Sequence, residues 1–158
     1  PEVIKILDQN PKAYYLQADL DARSRIIDEF KPDLFVDIHF DANNTKKLQN
    51  KVNDVEIYVP GAARKGEFGS RNARARLLKH LTEVRRWKHS VEIAKLSAQQ
   101  VSKKLGIPPL KNAAMIPSSV LVEDGVLARN LFQTNRSVYG LTMFYECAHY
   151  DHVKEYPL

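Results

Sequence analysis

The stretch "DLFVDIHFDA", residues 33–42, decides how the rest of the chain is read. Leu34, Phe35, Val36 and Ile38 form a short apolar run of the kind that becomes a buried strand. Asp37 interrupts the run, and His39 and Asp41 stand at its exit. In α/β sheets chemistry collects at the carboxyl ends of strands. A neutral imidazole is a common zinc ligand, and a strand end would hold it rigidly. The same histidine could equally be a hydrogen-bonded structural residue, and the pattern alone leaves both readings open. Asp37 is either an acceptor that orients His39 or a partner for Arg23 or Arg25.

Working outward, Val3–Leu7 reads as a strand. A helix over about Asp21–Phe30 is closed by Lys31-Pro32. "VEIYV" (55–59) is a further strand, ended by Pro60-Gly61. Asn72–Trp87 is helical in pattern. Ser90 is a candidate N-cap for a second helix that ends at Gly106, with Val91, Ala94, Ala98, Val101 and Leu105 at core spacing. Residues 107–119 read as loop, and "LTMFYE" (141–146) as a closing strand that also ends on an ionisable residue. Strands separated by helices predict an α/β fold: a mixed, mostly parallel sheet between two layers of helices.

The length, 158 residues, suits one domain with a real core. No apolar run approaches the ~20 residues of a membrane helix. One cysteine excludes an internal disulfide and a cysteine-based zinc finger. The net charge is +5, but Arg64–Lys88 holds nine Lys/Arg against two Glu, which leaves the remainder near −2. Positive charge confined to one segment, with a single tryptophan, argues against a nucleic-acid-binding module. Pro1 opens the chain with no signal peptide, and "PEVIKIL" already reads as a strand. The expectation is one catalytic domain over 1–158, incomplete at its N-terminus, with 62–89 as a basic insertion.

His39 and Glu146 both fall at strand ends. A carboxylate that does not bind the metal can take a proton from a metal-bound water and pass it to a leaving amine. Glu146 suits that role. The surrounding words point the same way. "LDARSRIIDEFKPDLFVDIHFDA" resembles the segment L-x-x-R, helix, D-L-F-V-S-I-H-x-N-A of zinc-dependent N-acetylmuramoyl-L-alanine amidases. "NDVEIYVPG" is similar to the strand that follows it there, "SVEIAKLSAQQVSKKLG" to the next helix, and "GVLARN…YGLTMFYECAHYDH" to the closing segment E-C-G-F.

The resemblance implies a three-layer amidase-like fold and Zn2+ as cofactor, with His39 a ligand and Glu146 the general base and acid. The reaction would be hydrolysis of the amide between N-acetylmuramic acid and L-alanine of peptidoglycan. It also implies a secreted, periplasmic or cell-wall location. The family's other two ligands would lie upstream of Pro1. Asp37 and Asp41 replace a serine and an asparagine, and Asp41 is a candidate substrate contact. Some relatives carry an inserted helix that covers the site until an activator protein displaces it. The 62–89 segment lies at that place, and Glu83 could present the covering acid; its helix near 72–88 reads equally as a solvated helix with a narrow apolar face, or as a contact for anionic wall polymers or lipid headgroups.

Other residues are read more plainly. His149 and His152 flank Tyr150-Asp151 and could be metal ligands by composition, but read first as loop residues near the site; His80 and His89 are on the surface, and Cys147 is a buried structural thiol rather than a nucleophile. Two other functions compete. Zinc carboxypeptidases also write a strand as D-x-H with a late glutamate, and a non-catalytic basic binding module is the non-enzyme alternative.

Overall fold

The computed structural model describes residues 20–41, 53–61, 84–112, 119–129, 141–149 and 152. Val3–Leu7, Asn72–Glu83 and residues 42–52 lie outside them. Helix α1 (Leu20–Phe30) leads into strand β1 (Leu34–Asp41). At the junction Lys31 takes the left-handed conformation, φ 52°, and its N–H donates to the Ile27 carbonyl at 3.0 Å. This closes the helix before Pro32, which could not continue it. Strand β2 (Glu56–Val59) follows, then a single helix α2 (Val84–Leu105), strands β3 (Val120–Glu123) and β4 (Val126–Ala128), and β5 (Leu141–His149).

The five strands form one sheet in the order β1-β5-β2-β4-β3. β1/β5 and β2/β4 are parallel, while β2/β5 and β3/β4 are antiparallel. The fold is therefore α/β with a mixed sheet, and its parallel and antiparallel pairings are equal in number among the described strands. Val55, Ile57, Val59, Val126, Ala128 and Met143 point to one face, where α2 covers them with Ala94 and Ala98. The small side chains of α2 let its backbone come close to the sheet.

Two sequence expectations change here. Ser90 is not a cap: α2 runs through it, and Ser90 is buried on the stripe that continues into Ala94 and Ala98. No proline or glycine interrupts the segment, so the helical period carries on. Leu105, the last residue of the helix, is 53% exposed and takes no part in the core. The C-terminal stop at Gly106 is as expected. Gly106 has φ +68°, and the Ile107 N–H donates to the Ser102 carbonyl at 3.2 Å, closing the helix in a Schellman turn.

The β3–β4 hairpin went unread in the sequence. Its turn is Asp124-Gly125, a dipeptide that between apolar runs is a strong hairpin signal. Gly125 has φ +75°, and a Cβ there would lie 2.9 Å from the Pro109 Cβ and 3.0 Å from that of Ala98. Its carbonyl accepts from Ile57 N–H at 2.8 Å, and its own N–H donates to the Leu110 carbonyl at 2.7 Å. The turn thus ties β2, the segment after α2 and the helix together.

Candidate metal centre

The face of the sheet opposite α2 carries the polar groups. Side chains alternate along a strand, so Asp37 and His39 of β1 share one side. In the β1–β5 register Asp37 stands opposite Phe144 and His39 opposite Glu146. In the β2–β5 register Glu146 stands opposite Glu56, and Phe144 opposite Tyr58. His39, Glu146 and Glu56 therefore form a straight row across three neighbouring strands. With strands about 4.8 Å apart, the row is roughly 10 Å long.

Beyond Glu146 the alternation breaks. His39 pairs with Glu146 and Asp41 with His149, so two steps on β1 match three on β5. The extra residue is a bulge within Cys147–Ala148. Ala148 packs with Met143 in the apolar core under α2. His149 is thereby turned to the polar face, which regular alternation from Glu146 would have denied it. Bulges re-aim side chains in this way.

The turned imidazole meets two acids. Its Nε2 lies 3.0 Å from Asp54 Oδ1 and 4.0 Å from Glu56 Oε1. Potential ligand atoms of Asp54, Glu56 and His149 all fall within 4.8 Å of one another, so the group could hold a metal ion. The site is well buried: exposure is 9% for Asp54, 3% for Glu56 and 2% for His149. The backbone fixes it as well. His149 N–H donates to Asn53 Oδ1 at 3.0 Å, and the His149 carbonyl accepts from His152 N–H at 3.0 Å. The Tyr58 hydroxyl donates to Glu56 Oε2 and orients that carboxylate from behind.

Two carboxylates held this close and this dry repel each other, and a nearby positive charge or a bound cation would relieve that repulsion. One imidazole with two carboxylates is a donor set that suits a divalent ion such as zinc, and three protein ligands leave room for a water. Among the described residues this is the group of three that meets these distances.

The sequence-derived candidates fall around it. His39 is outside the three-residue group. Its Nε2 lies 3.0 Å from Asp37 Oδ1, and its ring stacks on Phe144 with centroids 4.3 Å apart. Asp37 thus meets His39. Glu146 is half-buried between His39 and Glu56 in the row. Asp41 ends β1, and its backbone is the register partner of His149. Glu83 lies outside the described residues.

His149 closes β5 and is a member of the group, a strand residue where the local pattern reads first as loop; His152 is buried beside it. Asp54 and Glu56 were not singled out in the sequence, although their spacing of two, with Tyr58 two further on, marks one face of a strand. Cys147 is half-buried, and burial together with the charge of Glu146 pushes its pKa up, which suits a structural thiol.

The fold and this group define an α/β protein with a buried carboxylate–histidine site. No family model matches the chain, and no curated protein or solved structure matches it.

Proposed function

We propose that the chain is a zinc-dependent amide hydrolase of the N-acetylmuramoyl-L-alanine amidase kind, acting on peptidoglycan outside the cytoplasm. The observation that carries the reading is the row His39–Glu146–Glu56, which adjoins the buried Asp54–Glu56–His149 group on one sheet face. Asp54, Glu56 and His149 would hold the ion. Zinc, when bound, polarises an amide carbonyl and acidifies water. Glu146 is next to Glu56 in the row and serves as the proton carrier, taking a proton from water and delivering it to the departing amine.

His39 has one nitrogen engaged by Asp37, which leaves Nδ1 as its second donor. A histidine held through one nitrogen by a carboxylate is the usual support for a metal-ligating imidazole. His39 is accordingly a further ligand or a contact for the bound water. A second helical layer over the polar face would complete the three-layer amidase-like arrangement. An activator acting on residues 62–89, with Glu83 as a covering acid, belongs to the same proposal.

The test is direct. Purified peptidoglycan is incubated with the zinc-loaded chain, and new alanine amino termini are counted. Release that vanishes in Glu146→Ala while zinc stays bound supports the reading. A zinc-loaded chain that releases none rejects it.

A further inference from the structure

The residues of the strands and the turns next to them, 33–41, 53–61, 119–129 and 141–149, contain a single Lys or Arg: Arg129, one residue past β4. In the β2–β4 register Tyr58 stands opposite Leu127, on the polar face, so Arg129 points to that face as well. Its guanidinium carbon is 6.0 Å from the centroid of the Tyr58 ring. The backbone N–H of Arg129 donates to the Val59 carbonyl at 3.0 Å, which fixes the residue at the end of the ladder. Its side-chain Nε is buried, yet finds no hydrogen-bond partner among the described residues.

A second orphan stands across from it. Val120 pairs with Ala128 in the antiparallel β3–β4 ladder, so Ser119 and Arg129 occupy the next facing positions. Ser119 Oγ is also buried and without a partner among the described residues. Buried donors are nearly always satisfied, and two orphans at one register position point to a shared missing acceptor. Arg129 does not neutralise the acidic group itself: its guanidinium lies over the Tyr58 ring, and that tyrosine's hydroxyl is what reaches Glu56. A guanidinium fork with an adjacent hydroxyl is suited to a planar carboxylate.

We infer that Arg129 and Ser119 form an anchor for a carboxylate of an extended peptide substrate whose scissile amide lies at the Asp54–Glu56–His149 group. The inference rests on the hydrolase reading for the word substrate, and on the two orphaned groups for the anchor. Spacing supports a peptide. Arg129 is level with Pro60, four residues along β2 from Glu56, which is roughly 13 Å at strand rise. An extended peptide covers that span in about four residues. Between the two ends Tyr58, Leu127 and Phe144 are buried in a small apolar cluster with Leu110, which fixes the strand positions that set this spacing. Arg129 is a binding and positioning residue with no part in bond breaking.

The experiment follows the backbone amide resonance of residue 129 in the full chain by NMR, together with the Nε–H wherever position 129 is arginine, while alanyl-alanyl-glutamate is added. Its uncharged counterpart, alanyl-alanyl-glutamine with an amidated C-terminus, is the control. The expected result is a saturable shift with the acidic tripeptide alone, weakened at least tenfold in Ser119→Ala and in Arg129→Lys, which keeps the charge and loses the fork. Zinc content stays unchanged in both variants. No shift, an equal shift with the neutral peptide, or undiminished affinity in both variants would overturn the anchor. A chain that binds the acidic tripeptide at Arg129 but hydrolyses nothing would leave the anchor standing and reject the hydrolase reading.

Discussion

His39 and Glu146 are register partners: β1 and β5 run parallel and set the two residues opposite each other. Two ionisable residues far apart in sequence share one edge of one face because the two strands that carry them are neighbours in the sheet. Glu56 continues the row on β2. The chemistry proposed above depends on that row, and each of its parts can be disturbed separately.

Glu146 is the proton carrier in this account and not a member of the three-residue group. Glu146→Gln keeps shape and removes basicity. Hydrolysis should fall by about 10²–10⁴-fold, the range general acid–base catalysis supplies, with zinc affinity little changed. Parallel assays of product release and bound zinc check this. Zinc lost together with activity would make Glu146 a ligand instead.

The buried acids need the imidazole when no metal is present. In metal-free protein, His149→Ala should destabilise the fold by on the order of 3–5 kcal/mol, because it leaves uncompensated buried charge. Adding Asp54→Asn should recover part of that loss, since it removes one of the repelling carboxylates. Urea unfolding of the two single variants and the double variant measures the coupling. Strictly additive effects would mean that the three groups do not share one electrostatic balance.

Gly125→Ala joins two penalties. The residue would have to keep φ near +75°, which costs an L-residue roughly 1–2 kcal/mol. Its Cβ would also press on Pro109, on Ala98 and on the Val55 carbonyl, 3.2 Å away. Overpacking adds about 1–3 kcal/mol. Thermal unfolding should show a loss of about 2–5 kcal/mol; a loss below 1 kcal/mol would mean that the turn is not held as described.

Cys147 has its pKa raised by burial first and by the Glu146 charge second. The thiolate is the reactive form, so alkylation at neutral pH should be slow. Because the folded state keeps this proton beyond the ordinary thiol range, the neutral thiol's contribution to stability is complete below that range and declines as pH rises through the raised value. Glu146→Gln removes the second cause, so alkylation of the folded protein should speed up, severalfold rather than by orders of magnitude. Rates measured against pH with a neutral alkylating reagent decide it; an unchanged rate would remove Glu146 as a cause of the shift.

Much of this fold was legible in the sequence. The end of α1 at Lys31-Pro32, the positions of β1 and β2, the stop of α2 at Gly106 and the start of β5 all follow from local signals: apolar runs, proline, glycine and capping chemistry. The apolar run of β1 also reads as buried, yet β1 is an edge strand, and Leu34, Val36 and Ile38 are exposed. What escaped depends on contacts between distant segments. Ser90 has the chemistry of a cap, but its burial beside Ala94 and Ala98 makes it part of a helix face. The Asp124-Gly125 hairpin is the exception, because its signal is local: a two-residue turn between apolar runs. The metal-ligating potential of His149 had only its residue type behind it. It depends on a bulge that rotates the chain by one position, and nothing in "FYECAHYDH" marks where an extra residue falls. Asp54 and Glu56 gain meaning only when β2 is seen beside β5.

The most direct test of the central claim is the zinc bound per chain after dialysis against trace metal, in the unaltered protein and in His149→Ala. The account predicts about one zinc per chain in the first and, at the same free zinc, at least a tenfold weaker hold in the second. No zinc in the unaltered chain at neutral pH, or equal zinc in both, would contradict the assignment of Asp54, Glu56 and His149 as a metal site.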